Sequence, residues 1–174
     1  MAIPNLPETA LSRRIDPVIA AIGQGASWLW LLLLIIIVGN VFMRYAFDQG
    51  RIEFEEIQWH IYSVGFLLGL SYAYQADAHI RVDVLSERLP VRLRAWLELY
   101  GIILALLPFL FLIVRFSVPF VQQSWQLSEV SQAPGGLPYR WLIKAALPLG
   151  FLLLMMAALS RLSRVWLFLF GERS

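Results

Sequence analysis

Residues 28–42 read WLWLLLLIIIVGNVF and carry no charge. They lie inside an apolar stretch running from about residue 18 to 43. A helix needs about 20 such residues to cross a hydrocarbon core of roughly 30 Å. Lipid tolerates a helix there because its backbone groups bond to one another. Three more stretches, at about 57–74, 95–118 and 139–159, approach or meet the same length. The second is the least apolar. Composition agrees, with 59% hydrophobic and 15% charged residues, where soluble domains have roughly 45–50% and about 25%. The expected fold class is an all-α integral membrane protein with four transmembrane helices. Residues 1–17 are expected to form a cytoplasmic or interfacial segment with room for a short interfacial helix, residues 18–162 the four-helix domain, and residues 163–174 a cytoplasmic tail. The first stretch is longer than the 7–15-residue core of a signal peptide, and no A-x-A-like site follows it, so it reads as a retained helix.

The basic residues orient these spans. Arg13, Arg14, Arg81, Arg88, Arg92, Arg94, Arg161, Arg164 and Arg173 fall on one side, and Arg44, Arg51, Arg115, Arg140 and Lys144 on the other. Cytoplasmic loops carry the excess of Lys and Arg. Both termini are therefore expected inside, with the spans forming two hairpins. No sequence repeat relates the hairpins. The chain has no cysteine, which excludes disulfides, thiolate zinc sites and iron–sulfur clusters. A net charge of +2 without a basic block leaves no footprint for nucleic acid.

An ionisable side chain at mid-depth in a membrane is a functional hypothesis by default. Here Asn40, Glu98, Arg115 and Lys144 all sit near span ends, where long basic side chains reach water. A chain with no central acid is poorly equipped to move a polar solute alone. His60 and His79 fall on opposite sides, so they cannot ligate one haem. His60 shares a helix face with Glu56, four residues earlier. Glu53, Glu55 and Glu56 open the second span as an acidic cluster, which a solvated loop end or a docking site explains equally well. Gly65, Gly69 and Ala73 make a small-residue face suited to helix packing. Pro108 and Pro148 are expected to kink spans three and four. The polar stretch 119–138 reads as a long outer loop, either a partner epitope or a connector. The tail after span four, with RVWLFLF too short to cross, reads as interfacial. No nucleophile–base grouping, phosphate loop or metal-ligand spacing marks an enzyme. The string HIRVDV, taken alone, is a solvated amphipathic strand or helix start.

Three strings in register resemble a known family: NVFMRYAF, EEIQWHIYSVGFLLGLSYAYQADAHIRVDVL, and SWQLSEVSQAPGGLPYRWLIKAALPLG. Their order and spacing are similar to the small membrane subunit, the DctQ type, of tripartite ATP-independent periplasmic (TRAP) transporters, over about residues 20–150. The resemblance implies an accessory scaffold in the bacterial inner membrane. Its partners would be a large M-type membrane subunit, a periplasmic P-type substrate-binding protein, and membrane lipids. Uptake of an organic acid would be sodium-coupled, with the sodium sites in the large subunit and no cofactor in this chain. EEIQWH and HIRVDV resemble the branch that handles mannitol, chloroaromatic acids or keto acids. Positions inside the matching strings that the resemblance places at or beneath the docking surface are Arg44, Tyr45, Glu55, Glu56, Ser124, Trp125, Glu129, Ser131 and Gly136. It gives His79, Arg81 and Asp83 an inner-loop role, fixing the loop or meeting the large subunit or lipid headgroups. Two other classes compete. A self-sufficient four-helix exporter would want an acid inside a span. A respiratory-enzyme anchor would want histidines paired at one depth.

Overall fold

The computed structural model describes residues 6–48, 50–78 and 89–171. His79, Arg81 and Asp83 lie outside the described residues. Four helical segments account for most of the rest, and no strand occurs among the described residues. Helix α1 spans Ala10–Phe47 and α2 spans Ile52–Gln75. Helix α3 spans Val91–Gln126, and α4 spans Arg140–Phe170.

The helices are longer than the apolar windows, and in α1 the start is set by a cap and not by hydrophobicity. At 38 residues, α1 is about 57 Å long at 1.5 Å per residue. It starts at Thr9, whose hydroxyl accepts from the Ser12 amide while Ser12 Oγ accepts from the Thr9 amide, both at 3.0 Å. This reciprocal pair satisfies two of the donors a helix start leaves open. The helix then runs through Pro17 without a break. Residues 10–17 are therefore the first turns of α1 and not a separate interfacial helix. Similarly, 119–126 closes α3, so the connecting loop is only 127–139, and the basic aromatic tail through Phe170 continues α4.

Helix α3 contains a wide π-type turn at Gly101–Leu106, directly ahead of Pro108. Proline offers no N–H to the preceding turn and crowds it. A wider turn absorbs that misfit. The irregularity expected at Pro108 is thus taken up in the turn before it.

The helices form an open row. α1 packs on α2, α2 on α4, and α4 on α3, with a lesser contact between α1 and α4. α2 meets its neighbours through their glycines. A Cβ on Gly23 of α1 would stand 2.5 Å from Tyr72, and one on Gly150 of α4 would stand 2.8 Å from Leu67. The small-residue face of α2 is used less tightly. A Cβ on Gly65 would meet Trp30 and Leu29 at an ordinary 3.6–3.7 Å, and one on Gly69 would meet nothing within 4 Å. Ala73 lies near the C-terminal end of the same helix. The buried core sits mainly between α3 and α4, where Ile102, Leu110, Leu154 and Ala158 pack together.

Among the described residues three helices, α1, α3 and α4, are long and apolar enough to cross a membrane. Only 11%, 17% and 28% of their most apolar windows are buried inside the chain. α2 has 24 residues but opens on Glu53, Glu55 and Glu56, and falls short in apolarity.

Candidate functional site

One end of the row gathers the C-terminal end of α1, the N-terminal end of α2, the C-terminal end of α3 and the start of α4. The turn after α1 is short, so Arg44 and Glu55 face each other across it and form an exposed ion pair. One residue on, Glu56 turns the other way and takes hold of the loop 127–139. Its Oε2 accepts from the Leu137 amide at 2.6 Å, and its Oε1 accepts from the Ser131 hydroxyl. The loop closes on itself as well, with the Ser131 amide donating to the Leu137 carbonyl at 3.1 Å and the Gly136 amide to Ala133 at 2.9 Å.

Gly136 is required by this arrangement. A Cβ there would come within 2.9 Å of Glu56 Oε1 and would run into the Ser131 side chain. Gly135 supplies the adjoining left-handed turn, at φ +80°, a conformation that glycine adopts without penalty. A Cβ at Gly135 would stand 3.8 Å from a carboxylate oxygen of Glu53.

The other side of the loop is held by Glu129. Its carboxylate accepts from Lys144, and Arg140 stands 3.8 Å away. The Lys144 hydrogen bond, with the two cationic charges behind it, holds the Glu129 carboxyl below its ordinary pKa. Lys144 in turn lies over the Phe120 ring, 4.2 Å from its centroid. The Glu129 amide donates to the carbonyl of buried Ser124, and the Arg140 amide donates to the Glu129 carbonyl at 3.2 Å. Beside this, Trp125 and Trp141 meet edge to face at 4.4 Å. The loop is therefore a built surface, clamped by a carboxylate from α2 and by cations from α4.

Of the residues grouped by sequence, Glu56, Ser131 and Gly136 come together in one contact. Ser124 and Glu129 form a second, and Arg44 with Glu55 a third. Tyr45 stands apart at 85% exposure, and Trp125 is also exposed. His60 does not reach the Glu56 carboxylate. Its Nδ1 donates to the Glu56 carbonyl at 2.6 Å, inside the helix. Among the described residues, no group of three or more His, Cys, Asp or Glu is arranged to hold a metal ion.

The opposite end holds a polar network that sequence reasoning missed. Arg161 of α4 pairs with Glu98 of α3 through two bonds, at 2.5 and 3.3 Å. Their side chains are only 11% and 16% exposed. Glu98, placed near a span end by sequence, is therefore paired and largely shielded within the chain. Asp16 of α1 accepts from Ser160 at 2.5 Å, stands 3.7 Å from Arg164, and its carbonyl accepts from Gln75 at 2.8 Å. Thr9 and Ser163 share a hydrogen bond of 2.8 Å. The signal lay in antiparallel topology, which brings the start of α3 to the end of α4.

A family model described as "Tripartite ATP-independent periplasmic transporters, DctQ component" matches residues 33–168. No curated protein matches the chain.

Proposed function

The chain belongs to the DctQ component family of tripartite ATP-independent periplasmic transporters, and from that premise we propose that it is the scaffold of a three-part uptake system. The family is one of transporter subunits, not of enzymes. In this reading the chain holds a large transport subunit in the inner membrane and supplies part of the surface on which a periplasmic binding protein docks. The solute is an organic acid, its uptake is driven by sodium, and the sodium sites belong to the large subunit. All four helices span the membrane, α2 included, with both termini in the cytoplasm and the clamped loop in the periplasm.

The observation that carries the scaffold role is the openness of the row. A chain with only 11% of the α1 window buried leaves most of that helix to lipid or to another subunit. Docking then falls to the end where Glu56 and Glu129 hold the loop. There Tyr45, Trp125, Arg44 and Glu55 are the exposed groups, while Ser124, Ser131 and Gly136 support them from within. His79, Arg81 and Asp83 would meet the large subunit or lipid headgroups at the inner face.

Extraction of the native complex in mild detergent, followed by mass spectrometry, tests this. Recovery of one large polytopic partner, with uptake that also requires a soluble periplasmic protein, is the expected result. Recovery of the chain alone as a small homo-oligomer would overturn it and restore the self-sufficient exporter.

A further inference from the structure

We propose that the groove between the C-terminal end of α1 and the N-terminal end of α2 binds one zwitterionic phospholipid, whose headgroup joins a phosphate to a primary ammonium. The groove has a volume of about 360 Å³. Asn40 forms part of its wall and is only 6% exposed, yet its Oδ1 has no hydrogen-bond partner. Gln58 forms the facing wall, and its Nε2 is buried and equally unpartnered. Buried polar groups are nearly always satisfied, and leaving them unpaired is costly. The two orphans are complementary, one an acceptor and the other a donor.

The rest of the groove has the polarity of a lipid. Nearer the helix ends, Arg44 and Glu55 place one positive and one negative charge side by side. Along α1, Val41 stands beside Asn40 and Ile37 about one turn deeper, and Leu34, a further turn in, is exposed. Trp59 stands at the rim, 69% exposed, where an amphipathic indole suits the membrane interface. A phosphate can accept from the Arg44 guanidinium, which has five donors, and from the Gln58 amide. A primary ammonium has three donors, enough for Glu55 and Asn40 Oδ1 together. The acyl chains then follow Ile37 and Leu34.

This chemistry selects among headgroups. A choline has no N–H to give Asn40. A glycerol headgroup leaves the phosphate charge uncompensated beside Glu55. Phosphatidylethanolamine satisfies all four groups. Only membrane embedding is required for this site, not the transporter assignment.

The test is native mass spectrometry of the purified full-length chain with equimolar phosphatidylethanolamine, phosphatidylcholine and phosphatidylglycerol of identical acyl chains. Preferential retention of one phosphatidylethanolamine is expected. The double variant Asn40→Leu/Gln58→Leu should lose that preference about tenfold, the equivalent of one satisfied buried hydrogen-bonding group. Glu55→Gln should move the preference to phosphatidylglycerol, because Arg44 then meets the phosphate without a competing carboxylate. That gain of binding cannot come from a chain that has failed to fold. Equal retention of the three lipids would overturn the proposal. So would a phosphatidylethanolamine preference unchanged in the double variant.

Discussion

At the scale of single residues, three neighbouring acids separate into different tasks. Glu55 faces Arg44 at the surface, Glu56 grips the loop, and Glu53 lies near Gly135. Sequence could place them together at a helix start but could not tell them apart, because their directions depend on a loop some 75 to 81 residues away in the chain. The two loop glycines offer a test of this geometry. Gly136→Ala would force a Cβ against Ser131 and to 2.9 Å from Glu56 Oε1, an overpacking of about 1–3 kcal/mol. Gly135→Ala meets its nearest atom only at 3.8 Å and carries mainly the backbone strain of its positive φ, about 1 kcal/mol. Thermal unfolding in detergent should show a larger loss for Gly136→Ala. Equal losses would mean that the Glu56 clamp does not hold the loop. Glu129 gives a pH test. Its carboxyl is held below the ordinary value of 4.5, chiefly by the Lys144 hydrogen bond. The stabilisation is therefore complete above the unfolded-state pKa and is lost as pH falls through the lower native value. Wild type should lose stability more steeply than Glu129→Gln as pH falls below about 5. Parallel curves would remove Glu129 from the account.

At the scale of elements, the existence of the helices was readable and their ends were not. Runs such as residues 28–42 announce a span by length and polarity alone. Caps lie outside those runs, so Thr9 with Ser12 extends α1 well beyond the apolar window. Pairing between elements was hidden for a different reason. Glu98 and Arg161 are 63 residues apart, and only the antiparallel packing of α3 on α4 brings them together. The small-residue motif of α2 shows the same limit. The glycines with no room for a Cβ against α2 are Gly23 and Gly150 of its neighbours, which no spacing rule within α2 could indicate. The Glu98–Arg161 pair makes a direct prediction. Removing one partner of a buried pair leaves an uncompensated charge and costs about 3–5 kcal/mol, whereas replacing both with apolar residues is often close to neutral. Glu98→Leu and Arg161→Leu should each lower the unfolding temperature sharply, and Glu98→Leu/Arg161→Leu should recover most of the loss. Additive losses in this double-mutant cycle would show that the two residues are not coupled.

At the scale of the whole molecule, the open row and the charge pattern together predict how the chain lies in a membrane. Three helices qualify as spans by apolarity, and α2 does not. Yet α2 is packed between α1 and α4, both of which are long enough to cross. A helix antiparallel to α1 and joined to it by a short turn has to run back along it, so the acids that open α2 belong at the same membrane face as the end of α1. Its modest apolarity is compatible with crossing, since α1 and α4 pack against it and lipid would meet only the remainder of its surface. The absence of cysteine from the sequence makes the topology directly measurable. Single cysteines introduced as Glu8→Cys, Asp48→Cys, Ala78→Cys and Gln132→Cys all fall on exposed positions between or before the helices. With a membrane-impermeant maleimide on intact spheroplasts, Asp48→Cys and Gln132→Cys should label at once, and Glu8→Cys and Ala78→Cys only after lysis. Labelling of Asp48→Cys and Ala78→Cys from the same side would remove α2 from the spans and leave three. A complete inversion of the pattern would keep four spans but place the Glu56- and Glu129-clamped loop in the cytoplasm, where no periplasmic protein could dock on it.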